Sequence, residues 1–148
     1  MRKDIEVKKV REVMTRNPIT VSPDMTVGEL KRMFEAHEFN LFPVVDARGI
    51  LRGLVTKLDF LRMFRPGPFL VIPNLRVLWA ERVEEVMSRG LMAVEPDDSV
   101  VAAIDLMLAS RLRSVPVVER RPEGPVLVGI VSRTDILPCL LLESDEAP

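Results

Sequence analysis

Tyrosine is absent from this 148-residue sequence, and cysteine, histidine and tryptophan occur once each. A single cysteine, Cys139, cannot close a disulfide within the chain, which fits a reducing, cytoplasmic setting. With His37 as the one histidine, a Cys/His zinc site within one chain is excluded, so no metal is expected. Neither residue sits in a motif that would make it a nucleophile or its base. Cys139 beside Leu140, Leu141 and Leu142 reads as a packed apolar side chain, and His37 at the end of a helical stretch as a cap or a solvent-facing group. A basic excess is also lacking. Twenty-one Lys and Arg against 22 Asp and Glu give a formal net charge of −1, which argues against a nucleic-acid binder. Arg111, Arg113, Arg120 and Arg121 lie close together and read as a solvated face and turn. The most apolar run, Phe69-Leu70-Val71-Ile72 between Pro68 and Pro73, falls far short of the roughly 20 residues that span a bilayer. Met1 to Glu6 lacks the apolar core of a signal peptide. What remains is an ordinary globular balance, 47% hydrophobic and 29% charged, enough for one domain or two small ones sharing a core.

The chain repeats itself. Val13-Met14 recurs as Val86-Met87, Pro23-Asp24 as Pro96-Asp97, Val27 as Val100, and Pro43-Val44-Val45 as Pro116-Val117-Val118, all at an offset of 73. Further on the offset is 76: Gly53-Leu54-Val55-Thr56 matches Gly129-Ile130-Val131-Ser132, and Asp59 matches Asp135. The three extra residues fall near Arg121-Pro122-Glu123-Gly124-Pro125, which reads as a longer turn.

Each copy reads β-α-β-β-α. A first strand (Ile19 to Val21; Met92 to Val94) leads through Pro-Asp to a helix (about Val27 to His37; Val100 to Ser110). Thr26 with Glu29, and Ser99, mark the helix starts. Leu30, Met33 and Phe34, and then Ile104, Met107 and Leu108, are spaced to share apolar faces. Two strands follow as a hairpin, Leu41 to Val45 with Ile50 to Val55, and Val115 to Val118 with Val126 to Val131. A last helix begins at Thr56 and at Ser132. One such unit alone buries only one face of its sheet, and two packed sheet to sheet bury both.

Chemistry concentrates in Thr56-Lys57-Leu58-Asp59 and Ser132-Arg133-Thr134-Asp135. Ser/Thr-x-x-Asp is a helix-capping pattern worth about 1 kcal/mol. It also suits a phosphate: free N–H groups and the helix dipole attract an anion, the cation beside each hydroxyl neutralises one, and the acid can hold a ribose diol. A cap does not need the cation. Both readings fit the residues.

With its Val-Met openings, its Pro43-Val44-Val45-Asp46 and Pro116-Val117-Val118-Glu119 strands, and its two Gly-x-x-Thr/Ser-x-x-Asp segments, the chain resembles the tandem CBS-domain pair, or Bateman module, from about Val10 to Leu137. The resemblance implies an α+β fold of two repeats with pseudo-twofold symmetry, residues 10–64 and 83–142, joined by a linker over 65–82. It implies a regulatory, non-catalytic module, a homodimer, and up to two clefts for AMP, ADP, ATP or S-adenosylmethionine. Carried over by position, Asp59 and Asp135 hold ribose, while Thr56, Lys57, Ser132 and Arg133 hold phosphate. Asn17, Ile19, Leu41 and Phe42 line one adenine slot, and Met92, Ser114 and Val115 the other. The alternative is a dimerisation scaffold whose clefts bind nothing. The regulated partner is not readable. Three departures stand out: Pro138 interrupts the expected last helix, Asn17 is matched by Gly90, and the apolar segment from Phe64 to Ala80 is expected to pack onto the module.

Overall fold

The computed structural model describes residues 8–65, 74–90 and 92–140. Its mixed helices and antiparallel hairpins make it an α+β protein, and the described elements gather into two compact units. One lies within Ile19–Leu91, and the other draws on Met1–Pro18 together with Met92–Pro148. Each unit thus combines most of one repeat with the opening segment of the other.

In the unit within Ile19–Leu91, helix α2 (Val27–Ala36) is followed by the hairpin β2 (Leu41–Val45) and β3 (Leu51–Thr56), then by α3 (Lys57–Arg62), α4 (Leu75–Ala80) and α5 (Val83–Val86). Thr26 caps α2 by accepting from Glu29 N–H, and Glu29 returns the bond to Thr26 N–H. The Thr26 N–H and the Thr26 hydroxyl, both donating to Glu29 Oε1, hold that carboxyl below the usual range, against a smaller opposing push from desolvation. Val21, Leu30, Phe42, Val44, Val55, Val83 and Met87 form the core, with Met33 and Phe34 packed against it, as the helical spacing predicts.

The other unit contains α1 (Val10–Val13), β1 (Thr15–Arg16), α6 (Val100–Ser110), the hairpin β4 (Ser114–Arg121) and β5 (Gly124–Ser132), α7 (Arg133–Ile136) and a 3-10 turn, Leu137–Leu140. Its sheet runs β1-β5-β4, all antiparallel. Val10, Val94, Ala103, Met107, Val115, Val117, Val131 and Ile136 form its core. Leu108, expected on the apolar face of α6, is 74% exposed, because the inward stripe runs through Val100, Ala103 and Met107.

Two further expectations change, and the interruption expected at Pro138 is observed. The first strands, Ile19 to Val21 and Met92 to Val94, each shrink to one parallel bridge, Val21 to Val44 and Val94 to Val117. Prolines stop the ladder on both sides. Pro43 and Pro116 have no N–H for the carbonyl of the residue two before the bridge, and Pro23 and Pro96, two after it, have none for the carbonyls of Val45 and Val118. The longer turn near Pro122 is instead two extra stretches of strand. After a bulge shared by both hairpins, β4 and β5 continue through Glu119↔Val126, Arg120↔Pro125 and Arg121↔Gly124, closing at Pro122-Glu123 with Gly124 at φ 134. Finally, α7 ends at Ile136 and gives way to the 3-10 turn, since Pro138 cannot donate to a preceding carbonyl.

The opening segments of the two repeats dock by matching bonds. In one unit Val10 N–H donates to the Asp98 carbonyl at 2.8 Å, Arg11 N–H to Pro96 at 2.9 Å, and Val100 N–H to Lys8 at 3.1 Å. In the other, Val83 N–H donates to Met25 at 2.8 Å, Glu84 N–H to Pro23 at 3.1 Å, and Val27 N–H to Glu81 at 2.7 Å. Thr15 pairs with Ile130, and Ser88 with Leu54. Gly129 and Gly53 make room for these segments. A Cβ on Gly129 would lie 2.9 Å from the Thr15 carbonyl oxygen, and one on Gly53 would lie 2.5 Å from that of Ser88.

In the described part of the linker, Trp79 on α4 meets the rings of Phe60 and Phe64, at 6.1 and 5.5 Å between centroids. Phe69, Leu70, Val71 and Ile72 lie outside the described residues.

Candidate functional site

Each unit carries one hydroxyl–cation–carboxylate corner where a hairpin strand turns into a short helix. At the end of β3, Thr56 stays extended (φ −108°, ψ 164°) while Lys57 enters α3. Asp59 N–H donates to Thr56 Oγ1 at 3.0 Å, and Thr56 N–H donates to Asp59 Oδ2 at 2.9 Å. At the end of β5 the geometry repeats: Asp135 N–H donates to Ser132 Oγ at 3.1 Å, and Ser132 N–H to Asp135 Oδ2 at 2.8 Å. The capping function of both triplets is therefore fulfilled.

The two carboxylates differ in their second oxygen. Asp59 is the one buried charged side chain among the described residues, and its Oδ1 accepts from Arg62 Nη1 at 3.0 Å. Arg62 follows Asp59 by three residues, a spacing that brings side chains together on a helix. In the second repeat that position is Pro138, and Asp135 Oδ1 has no partner among the described residues. Sequence reading missed Arg62, although its spacing carried the signal.

Lys57 and Arg133 are exposed beside their hydroxyls. Lys57 N–H donates to the Asn40 carbonyl at 2.9 Å, and Arg133 N–H to that of Arg113 at 3.0 Å. Strand pairing sets Leu41 opposite Thr56 and Ser114 opposite Ser132, so one residue of each expected adenine slot neighbours a triplet hydroxyl. The side chains of Phe42 and Val115 are fully buried in the cores of their own units, leaving only backbone for a ligand. Ile19 and Met92 are 41% and 45% exposed. Asn17 is exposed in the left-handed region at φ 52, which Asn tolerates better than most residues. Asn17, Met92, Ser114 and Val115 belong to one unit, and Ile19, Leu41 and Phe42 to the other.

Away from the triplet, the unit containing β5 has a cavity of ≈ 340 Å³ lined in part by Arg11, Arg16, Glu95, Asp97, Glu119 and Arg120. Its charges are balanced and largely paired: Arg11 with Asp97, and Arg120 with Glu95 at 3.6 Å. The Arg11 hydrogen bond, aided by Lys9, outweighs desolvation and holds the Asp97 carboxyl below its usual range. Cys139 is buried, and His37 ends α2 with its ring stacked on Phe39 at 5.4 Å. Among the described residues no group of three His, Cys, Asp or Glu is placed to hold a metal ion, and no helix is long and apolar enough to cross a membrane.

Duplicated hairpin-and-helix units with one polar corner apiece define a tandem-repeat α+β module. The chain belongs to the CBS-domain family, whose model matches residues 10–65 and 83–141. It is 32% identical over 131 residues to the CBS domain-containing protein YhcV of Bacillus subtilis, covering 88% of this chain and 84% of that one. Among solved structures it is similar to the CBS domain pair of protein MJ0100 in complex with 5'-methylthioadenosine and S-adenosyl-L-methionine. That match has a TM-score of 0.67 and 25% identity, over 87% and 92% of the two chains. It also shares its fold with CBSX2 in complex with AMP, with a TM-score of 0.72 and 23% identity over 88% and 93%.

Proposed function

We propose that this protein is a regulatory CBS-pair module that binds an adenosine-containing ligand, among AMP, ADP, ATP and S-adenosylmethionine, and performs no catalysis of its own. The observation that carries the reading is the hydroxyl–cation–carboxylate corner, retained in both repeats although a cap requires no cation. The adenosine ligands named for the MJ0100 pair support the ligand class. In this reading Asp59 and Asp135 accept from ribose hydroxyls, and Thr56, Lys57, Ser132 and Arg133 meet phosphate. Leu41, Ser114, Ile19 and Met92 contribute to the adenine slots, together with Asn17 and the backbone of Phe42 and Val115. Occupancy shifts the packing of the repeats, and a partner reads that shift. A cytoplasmic homodimer is the form in which we expect it to act. One observation favours the non-binding scaffold for the first corner: both Asp59 oxygens already have protein partners.

Calorimetry with AMP, ADP, ATP and S-adenosylmethionine tests this. At least one is expected to bind with a micromolar dissociation constant, and Asp135→Ala to weaken it about tenfold or more while the protein stays folded. Refusal of all four below millimolar, or an Asp135→Ala protein that binds normally, overturns the reading.

A further inference from the structure

Along β4, Glu119 stands five residues beyond Ser114, about 17 Å at the rise of a strand. The ≈ 340 Å³ cavity that Glu119 lines is therefore remote from the hydroxyl–cation–carboxylate corner, where Ser114 faces Ser132. It lies within a single unit, and its volume is that of a small-molecule site. Its charged walls are not equally committed. Arg11 is tied to Asp97. Arg16 is exposed and has no ion-pair partner among the described residues. Glu95 meets Arg120 at 3.6 Å and Glu119 meets Arg121 at 3.4 Å, both longer than the roughly 2.7–2.9 Å of a strong charge-assisted bond. Both carboxylates thus keep acceptor capacity. Met14, Pro96 and Val128 supply an apolar wall.

The other unit satisfies the equivalent groups with its own side chains. Arg52 and Val128 are the unpaired bulge residues of their hairpins. Arg52 pairs with Asp46 at 3.5 Å, the acid that matches Glu119. Arg89, the counterpart of Arg16, donates from Nη2 to the Glu84 carbonyl at 2.8 Å. Glu95 is matched by Ser22. With valine at the bulge in place of arginine, the second repeat leaves Glu119 without that cross-strand cation and offers an apolar surface beside it. The repeat folds in either form, so the open charges of the second one are not a requirement of the fold.

We propose that this cavity binds a free α-amino acid with an apolar side chain. Arg16 takes the carboxylate, Glu95 and Glu119 take the ammonium group, and Met14, Pro96 and Val128 face the side chain. Walls of both signs select a ligand that carries both, because a ligand of one sign leaves the opposite wall desolvated without a partner. None of these residues belongs to the adenosine site proposed above, so the two readings stand or fall separately.

Calorimetry on the full chain at about physiological salt, with L-valine, L-leucine and L-methionine in turn, is the test. At least one is expected to bind, one molecule per chain, with a submillimolar dissociation constant. The matching amino alcohol, which lacks the carboxylate, and the matching acid without the ammonium group are expected to bind about tenfold more weakly or worse. Arg16→Gln and Val128→Arg are each expected to cost about tenfold as well, the second by installing the pair that Arg52 makes with Asp46. Arg89→Gln is expected to leave binding unchanged. Melting curves establish that the variants are folded, and if Arg16→Gln is not, Val128→Arg decides alone. Refusal of all three amino acids below millimolar overturns the proposal, as does normal binding by the folded cavity variants. Equal binding of the acid without its ammonium group also overturns it, since Arg16 would then be a simple anion site.

Discussion

Asp59 and Asp135 show how one residue type in one geometry comes to have different capacities. Both cap their helices through Oδ2, but Arg62 occupies Oδ1 of Asp59, while Pro138 leaves Oδ1 of Asp135 free of described partners. Because Arg62 is 65% exposed at its side chain, its ion pair is worth at most about 1 kcal/mol. Arg62→Ala is therefore expected to change stability by less than that, and to raise affinity for adenosine ligands at the first corner several-fold. Calorimetric titration of wild type against variant checks this; unchanged or weaker binding removes Asp59 from the ribose role. The triplets were legible as caps because Ser/Thr-x-x-Asp spacing is a local property of the chain. The burial of Phe42 and Val115 was not legible in the same way, since it depends on which elements close over the hairpin strands.

At the level of elements, helices α2 and α6 follow their sequence signals closely, with Thr26 and Ser99 standing where the caps were expected. The first strands were misread because their length is limited by prolines on a different strand. Pro43 and Pro116 act on residues 19 and 92 only once the pairing with Val21 and Val94 is known. The three added residues of the second repeat were placed in a turn on the strength of Pro122 and Gly124, yet they lengthen a ladder whose turn needs only two residues. The glycines of the two Gly-x-x-Thr/Ser-x-x-Asp segments belong to a third case. They looked like part of a ligand motif, and they admit the docking segments at Thr15 and Ser88. Gly53→Ala and Gly129→Ala are each expected to destabilise the protein by about 1–3 kcal/mol through overpacking against backbone. Gly90→Ala, whose Cβ would meet nothing within 4 Å, serves as the near-neutral control. Denaturant unfolding of the three variants decides it, and equal midpoints would discard the close-approach account.

For the whole molecule, the repeat seen in the sequence and the compact units seen in the structure divide the chain differently. Internal similarity revealed that there are two copies, because matched residues keep their offset. It carried no information on which copy the preceding segment would join, since Lys8 to Arg16 and Glu81 to Ser88 present similar patterns to either partner. The bonds from Val10 to Asp98 and from Arg11 to Pro96 settle that choice for the first of them. Removing residues 1–16 is consequently expected to loosen the unit around β4 and β5 while sparing β2 and β3. Amide exchange should show lost protection over residues 94–131 and retained protection over 41–56. Equal loss in both regions, or loss confined to the latter, would contradict this assignment.

The exchanged segment also sets an order of events during synthesis. A ribosome adding about 5–20 residues per second completes residues 19–91 before it reaches the partners of residues 8–16 at Pro96, Asp98 and Ile130. Val10, fully buried in the finished protein, must wait for Asp98 to be made, and Thr15 for Ile130. The first described stretch of the chain therefore stays unpaired on the order of ten seconds, and its docking is among the last steps of assembly.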